Sequence, residues 1–267
     1  MCGIAGQINF DGNPVDPSII KKMTDSIAHR GPDGEGQWIE RNIGLGHRRL
    51  AIIDTSDAGK QPMISADQRY ILTYNGEVYN FQELKVELQA LGYHFSSQTD
   101  SEVVLASLAE WKEEALIKFN GMFALAFWDR KEKNILLARD RFGIKPLYYN
   151  QNDKSFLFGS EQKAIFQQTA FDRKINKKAL LEYFTFQNIF TDQTLTQGIQ
   201  ILPAGHYAKL SLLDKKPTLK KTCYWDLRFA EPEKPASEED YVEELDRLFK
   251  QSVQRQLVSD VELGAYL

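Results

Sequence analysis

MCGIAG (residues 1–6) opens the chain, and it admits two readings. In one, Cys2 is a small buried hydrophobe entering a strand, an ordinary fate for a free thiol. In the other, Met1 is removed and Cys2 becomes the first residue, with a free amine beside its sulfur. A thiol is a poor nucleophile at neutral pH until something takes its proton. An α-amine, with a reference pKa of about 7.7–8.0, is well populated in its neutral form near cellular pH. Nucleophile and base would then share one residue, as they do in enzymes with an N-terminal threonine. Both readings place the same element next: GIAGQINF (3–10) is short, apolar and rich in Ile and Phe, which predicts a strand.

After this strand, Asp16-Pro17-Ser18 starts a helix through IIKKMTDSIAHR (19–30), with proline near its first turn. Gly31-Pro32-Asp33-Gly34 stops it. GQWIE (36–40), IGLGHRRLAIID (43–54) and RYILTYN (69–75) read as further strands. NFQELKVELQALG (80–92) predicts a helix with Phe81, Leu84, Leu88 and Leu91 on one face and Gly92 as its C-terminal stop. SEVVLASLAEW (101–111) predicts a second helix. MFALAFWD (122–129), NILLARD (134–140) and SFLFGS (155–160) read as strands buried on both faces. Strands, then helices, then strands favour a mostly antiparallel, layered α+β domain. Its body is placed at residues 2–210. EPEKPAS (231–237) reads as a linker whose Ser237 caps a helix carrying Val242, Leu245, Phe249 and Val253 on one face. DVELGAYL (260–267) reads as the beginning of one more strand.

The chain has 267 residues, 42% hydrophobic and 26% charged, with a formal net charge of -4. That charge is mild and mixed, without the basic block that nucleic acid selects. No apolar run approaches a membrane span, and no secretory signal opens the chain. Two cysteines, Cys2 and Cys223, do not make a disulfide framework, so a cytoplasmic protein is expected. His29, His47, His94 and His206 show no paired ligand spacing, so no metal site is expected. Neither G-x-G-x-x-G nor G-x-x-x-x-G-K-[ST] occurs.

Several polar residues carry two readings. Asn75-Gly76 in YNGEVYN (74–80) is a strong turn dipeptide. The same pair can offer an amide side chain and a backbone N–H to an oxyanion. Arg49 is a solvated arginine or a clamp for a carboxylate. Asp100 is a helix N-cap or a carboxylate facing a substrate ammonium.

In order along the chain, MCGIAG (1–6), HRGPDG (29–34), HRRLAIID (47–54), YNGEVYN (74–80), TDSE (99–102), GMFALAFWD (121–129) and RDRFGIKPLYY (139–149) resemble one family throughout. It is the N-terminal glutaminase domain of the class II glutamine amidotransferases, N-terminal-nucleophile hydrolases, and specifically of the glutamine-hydrolysing asparagine synthetases. LPAGHY (202–207) fits as well. The resemblance implies a four-layer α/β/β/α sandwich, α+β in class. It implies catalytic roles for Cys2, Asn75 and Gly76, with the oxyanion held by the last two. It also implies that Arg49 binds the glutamine α-carboxylate, that Glu77 and Asp100 bind its α-ammonium, and that backbone atoms of Leu50, Ala51, Ile52 and Ile53 line the pocket. HRGPDG is expected to form a loop near the mouth, with His29 and Arg30 in supporting roles.

The same resemblance divides the chain into a glutaminase domain (2–210), a connecting segment and linker (211–236) and the start of a truncated synthetase domain (237–267). In the family the terminal stretch runs into a loop that grips the pyrophosphate of ATP, and the chain stops at Leu267 before it. The glutaminase reaction is expected to need no cofactor; ATP and Mg2+ belong to the missing synthetase domain, which is the expected partner besides glutamine. Neither nucleic acid nor membrane is expected as a partner, and a homodimer is left open. The ammonia acceptor is expected to be aspartate, the alternatives being another carboxylate, such as a cell-wall or polysaccharide precursor, or a non-catalytic relative that keeps the fold. Amidotransferases making glucosamine phosphate or phosphoribosylamine fit the terminal DVELGAYL poorly.

Overall fold

The computed structural model describes residues 1–169, 171–214, 216–230 and 235–264. Two six-stranded antiparallel sheets lie at its centre. The first contains β1 (Gly3–Asn9), β2 (Gly34–Glu40), β3 (Ile43–Arg49), β8 (Tyr148–Gln151), β9 (Ser155–Gly159) and β10 (Gln200–Ile201), in the order β10-β8-β9-β1-β3-β2. The second contains β4 (Met63–Ile64), β5 (Tyr70–Val78), β6 (Gly121–Asp129), β7 (Asn134–Arg139), β11 (His206–Ser211) and β12 (Lys220–Cys223), in the order β12-β11-β7-β6-β5-β4.

Strand alternation shows how these sheets are covered. In β6, Phe123, Leu125 and Phe127 face one way, into a core shared with Phe81, Leu84 and Leu88 of α2 (Phe81–Ala90) and Val104 and Leu108 of α3 (Asp100–Trp111). Ala124, Ala126 and Trp128 face the other way and meet Ile4, Ile8, Leu45, Phe156 and Phe158 of the first sheet. Successive side chains of a strand point to opposite faces, so an unbroken apolar run marks a strand buried on both. On the far side of the first sheet, Ile20 and Met23 of α1 (Pro17–Ser26) and Ala164 of α5 (Gln162–Ile165) pack with Ala5. The layers are therefore helix, sheet, sheet, helix, the four-layer sandwich that the resemblance implies. The remaining helices are α4 (Ala115–Lys118), α6 (Lys177–Phe186) and α7 (Glu238–Gln256).

Local chemistry sets several boundaries as expected. Asp16 caps α1 by accepting from Ser18 N at 2.8 Å, with Pro17 in the first turn. Ser237 and Asp240 form a reciprocal capping box at the start of α7. Other expectations need correction. The strand read over 43–54 ends at Arg49, because the chain turns there to wrap the cavity described below. Leu91 does not join the buried face of α2: the helix ends at Ala90, and Leu91 is 56% exposed. Residues 261–264 form no strand, since no described strand pairs with them, and 265–267 lie outside the described residues. Of the linker, 231–234 also lie outside; 235–237 have no regular structure.

Two hydrogen bonds cross between the sheets at the middle of β5. Thr73 Oγ1 donates to Gly46 O at 3.2 Å, and His47 Nε2 donates to Tyr74 O at 3.0 Å. Burial lowers the His47 pKa to about 4, so the ring is neutral and its Nε2–H is available to the carbonyl. These bonds register the first sheet against the second where the site lies.

Candidate active site

Continuing the alternation of Ile4 and Ile8 outward puts Cys2 on the inter-sheet face of the first sheet. Counting Ile71 and Thr73 forward along β5 puts Asn75 on the facing surface of the second. The thiol and the amide thus arrive from different sheets at one small cavity of about 60 Å³.

Cys2 Sγ accepts from Leu50 N at 3.3 Å and donates to Leu50 O at 3.6 Å. Burial raises the pKa of this thiol, which keeps it protonated, while burial lowers that of the Met1 amine. Arg30 Nε donates to Cys2 O at 2.9 Å, and Arg30 Nη1 reaches Glu161 Oε1 at 3.1 Å. Arg30, given only a supporting role above, thus holds the main chain at the sulfur-bearing residue. His29 Nε2 lies 2.9 Å from the same Glu161 oxygen and does not line the cavity.

Asn75-Gly76 is not a turn. It lies within β5, where Asn75 pairs with Ala124 and Gly76 with Phe123. A side chain at position 76 would put its first carbon 2.4 Å from Met122 O and 2.7 Å from Phe123 Cα, so close backbone approach explains the glycine. Asn75 is 1% exposed, and among the described residues its Nδ2 has no hydrogen-bond partner. An orphaned buried donor costs about 1–3 kcal/mol and calls for an explanation.

Asp100 is not an N-cap. Thr99 caps α3 by accepting from Glu102 N at 3.3 Å, and Asp100 is the first helical residue. Its carboxylate instead accepts from Tyr74 Oη at 2.8 Å and Val78 N at 3.0 Å. Burial raises its pKa to about 6 against the pull of those two bonds. Burial also raises the pKa of Glu77, with Lys145 opposing.

Arg49, Leu50, Ile52 and Ile53 line the cavity together with Gly76, Glu77 and Asp100. The Arg49 guanidinium donates to Asp54 O and Ser56 O, which anchors it across the loop it precedes. Ala51 is the exception among the residues expected to line the cavity. Its N–H points to Asp33 Oδ2 at 2.9 Å, away from the cavity, because this bond ties the loop to the HRGPDG segment.

Sequence reasoning missed Lys145, Gln61 and Tyr74, which also line the cavity. Lys145 lies within RDRFGIKPLYY, but nothing local shows which side chain of that motif faces inward. Asp140 decides it by accepting from the backbone N–H groups of Phe142, Ile144 and Lys145 at 3.0–3.1 Å. Gln61 Oε1 accepts from Tyr74 N at 2.6 Å. Among the described residues no three His, Cys, Asp or Glu side chains are grouped to hold a metal ion, and no helix is long and apolar enough to cross a membrane.

A family model described as a glutamine amidotransferase domain matches residues 1–225. Glutamine-hydrolysing asparagine synthetase 3 of Bacillus subtilis strain 168 is 38% identical over all of this chain and 43% of its own length. Asparagine synthetase 1 of the same organism is 37% identical over all of this chain and 42% of its own length. The chain therefore spans less than half of these relatives. Among solved structures, the glutamine phosphoribosylpyrophosphate amidotransferase of B. subtilis superposes with a TM-score of 0.62. That match covers 84% of this chain and 49% of the other at 19% identity, which shows a shared fold.

Proposed function

Because the chain belongs to the glutamine amidotransferase domain family, we propose that it hydrolyses the side-chain amide of glutamine through a thioester on Cys2 after Met1 has been removed. The observation that carries this reading is the buried Nδ2 of Asn75, without a hydrogen-bond partner among the described residues, in the cavity that also holds the Cys2 thiol. The freed α-amine of Cys2 takes the thiol proton, and the sulfur attacks the amide carbon. Asn75 Nδ2 and the Gly76 N–H hold the oxyanion. Collapse of the tetrahedral intermediate expels ammonia, with its proton returned by the ammonium of Cys2. Water then attacks the thioester, releasing glutamate and the thiol. Arg49 takes the substrate's α-carboxylate, Glu77 and Asp100 its α-ammonium, and Leu50, Ile52 and Ile53 close the side.

The asparagine synthetase names of the relatives support a wider role, in which the ammonia amidates aspartate at the expense of ATP with Mg2+. Residues 2–210 would be the glutaminase domain, 211–236 the connection, which first adds β12 to the second sheet, and 237–267 the start of a synthetase domain. The exposed Val242, Leu245, Phe249 and Val253 of α7 support docking of such a domain or a second copy of the chain. A cytoplasmic location suits a free catalytic thiol.

The test is intact mass followed by assay. The chain without Met1 is expected to release glutamate and ammonia from glutamine. It is expected to make no asparagine from aspartate, ATP and Mg2+, because residues 1–267 carry no phosphate-cradling loop. Full activity from protein that retains Met1 would overturn the mechanism.

A second expectation concerns pH. An ionised Asp100 is needed to hold the substrate's ammonium, and its raised pKa of about 6 means that it protonates as pH falls through that value. The Cys2 amine must also be neutral to act as the base. Below about pH 6, two protons therefore oppose kcat/KM in the wild type and only one in D100N. The log kcat/KM profile should steepen there in the wild type and not in the variant, and D100N should raise KM more than it lowers kcat. Identical limbs in the two proteins would remove Asp100 from substrate binding.

A further inference from the structure

The loop that lines the cavity has one partner far along the chain. Asp54 N donates to Asp260 Oδ2 at 2.6 Å, and Asp260 N donates to Ile52 O at 2.9 Å. These bonds form a reciprocal pair across 206 residues of sequence. Asp260 stands just beyond α7, which is itself tied to α2 by Arg255 Nη2 and Glu83 Oε1 at 3.5 Å. The near half of the loop has its own restraints: Leu50 N bonds Cys2 Sγ, and Ala51 N bonds Asp33. At the far half the backbone bends, with Asp54 at φ +52°, a conformation that aspartate tolerates better than most residues. The Asp54 carboxylate is already engaged, accepting from Ser56 N at 3.1 Å and Gln98 N at 3.2 Å. Among the described residues, Asp260 alone answers the backbone of Ile52 and the N–H of Asp54.

We propose that Asp260 is a positioning residue for the glutamine pocket, holding the Ile52–Asp54 backbone in its substrate-lining conformation from outside the residues that do the chemistry. The inference rests on the glutaminase reading above. Its effect passes through the loop. Ile52 and Ile53 line the cavity, and Arg49 is anchored on the carbonyls of Asp54 and Ser56. A loop released at Asp54 therefore loosens both an apolar wall and the guanidinium meant for the substrate's carboxylate. Neither group touches the reacting amide, so the loss falls on binding.

The experiment compares wild type, D260A and D260N in the full chain, by steady-state glutamine hydrolysis and by hydrogen–deuterium exchange of residues 51–56. D260A removes the side-chain acceptor. It should raise KM roughly fivefold, the equivalent of about 1 kcal/mol for one exposed charge-assisted hydrogen bond, with kcat within about twofold. It should also speed exchange at Asp54. D260N keeps an acceptor oxygen and should restore both. An unchanged KM in D260A, a fall in kcat equal to the fall in kcat/KM, or a KM increase that D260N does not reverse would overturn the assignment. Failure of the glutaminase reading shows separately, as absence of glutamate release by the unsubstituted chain before any variant is compared.

Discussion

Cys2→Ala is expected to abolish glutamine hydrolysis and leave the fold in place. Removing the one nucleophile of a covalent mechanism typically costs on the order of 10⁶ in kcat, which takes the rate below detection. The structural cost is small, because among the described residues the sulfur's hydrogen bonds are the 3.3 and 3.6 Å pair with Leu50 at the cavity wall. Losing these two weak hydrogen bonds costs about 1–2 kcal/mol. Thermal unfolding should therefore shift by only a few degrees while glutamate release vanishes. Covalent labelling sharpens the test. Cys223 in β12 is exposed and Cys2 is only partly so, so reactivity governed by access alone would favour Cys223. A glutamine analogue with an electrophilic side chain is instead expected to add at Cys2, because recognition by the pocket outweighs exposure. Peptide mapping that finds Cys223 labelled and Cys2 untouched would refute the assignment.

Asn75→Ala is expected to lower kcat by about 10²–10³ with little change in KM, the usual result of removing one oxyanion donor. Among the described residues the donor's Nδ2 has no hydrogen-bond partner, so its loss leaves none of their acceptors unpaired. A group that meets charge only as the carbonyl becomes tetrahedral should leave ground-state binding almost unaltered. Rapid-quench or steady-state kinetics over a range of glutamine concentrations would separate the two parameters. A KM effect without a kcat effect would move Asn75 from the oxyanion to the substrate's polar ends.

The strands and helices that build the four layers were legible wherever burial imposes a period. Phe123, Ala124, Leu125, Ala126 and Phe127 could be read as a strand because both of its faces had to be apolar. Asp16 and Ser237 marked helix starts because capping is satisfied within three residues of sequence. The ordered motifs, from MCGIAG to RDRFGIKPLYY, named the residues worth testing.

Local chemistry misled or fell silent where partners are remote. Asn75-Gly76 is a turn dipeptide by propensity, yet it stays in β5 because β6 lies against it and leaves no room for a side chain. An acid at a helix start is a cap by habit, yet Thr99 takes that role and Asp100 turns to Tyr74 and Val78. LAIID (50–54) has the composition of a strand, but Cys2, Asp33 and Asp260 claim its backbone hydrogen bonds before any strand can. Side-chain order along the chain is enough to place the apolar faces, the helix starts and the polar residues that are candidates for chemistry. These are short-range consequences of side-chain alternation and capping. That the face bearing Cys2 meets the face bearing Asn75, and which loop closes over them, follows from long-range packing alone. That meeting depends on two sheets registered by Thr73, His47 and their inter-sheet cores, contacts between residues distant in sequence that no local pattern encodes.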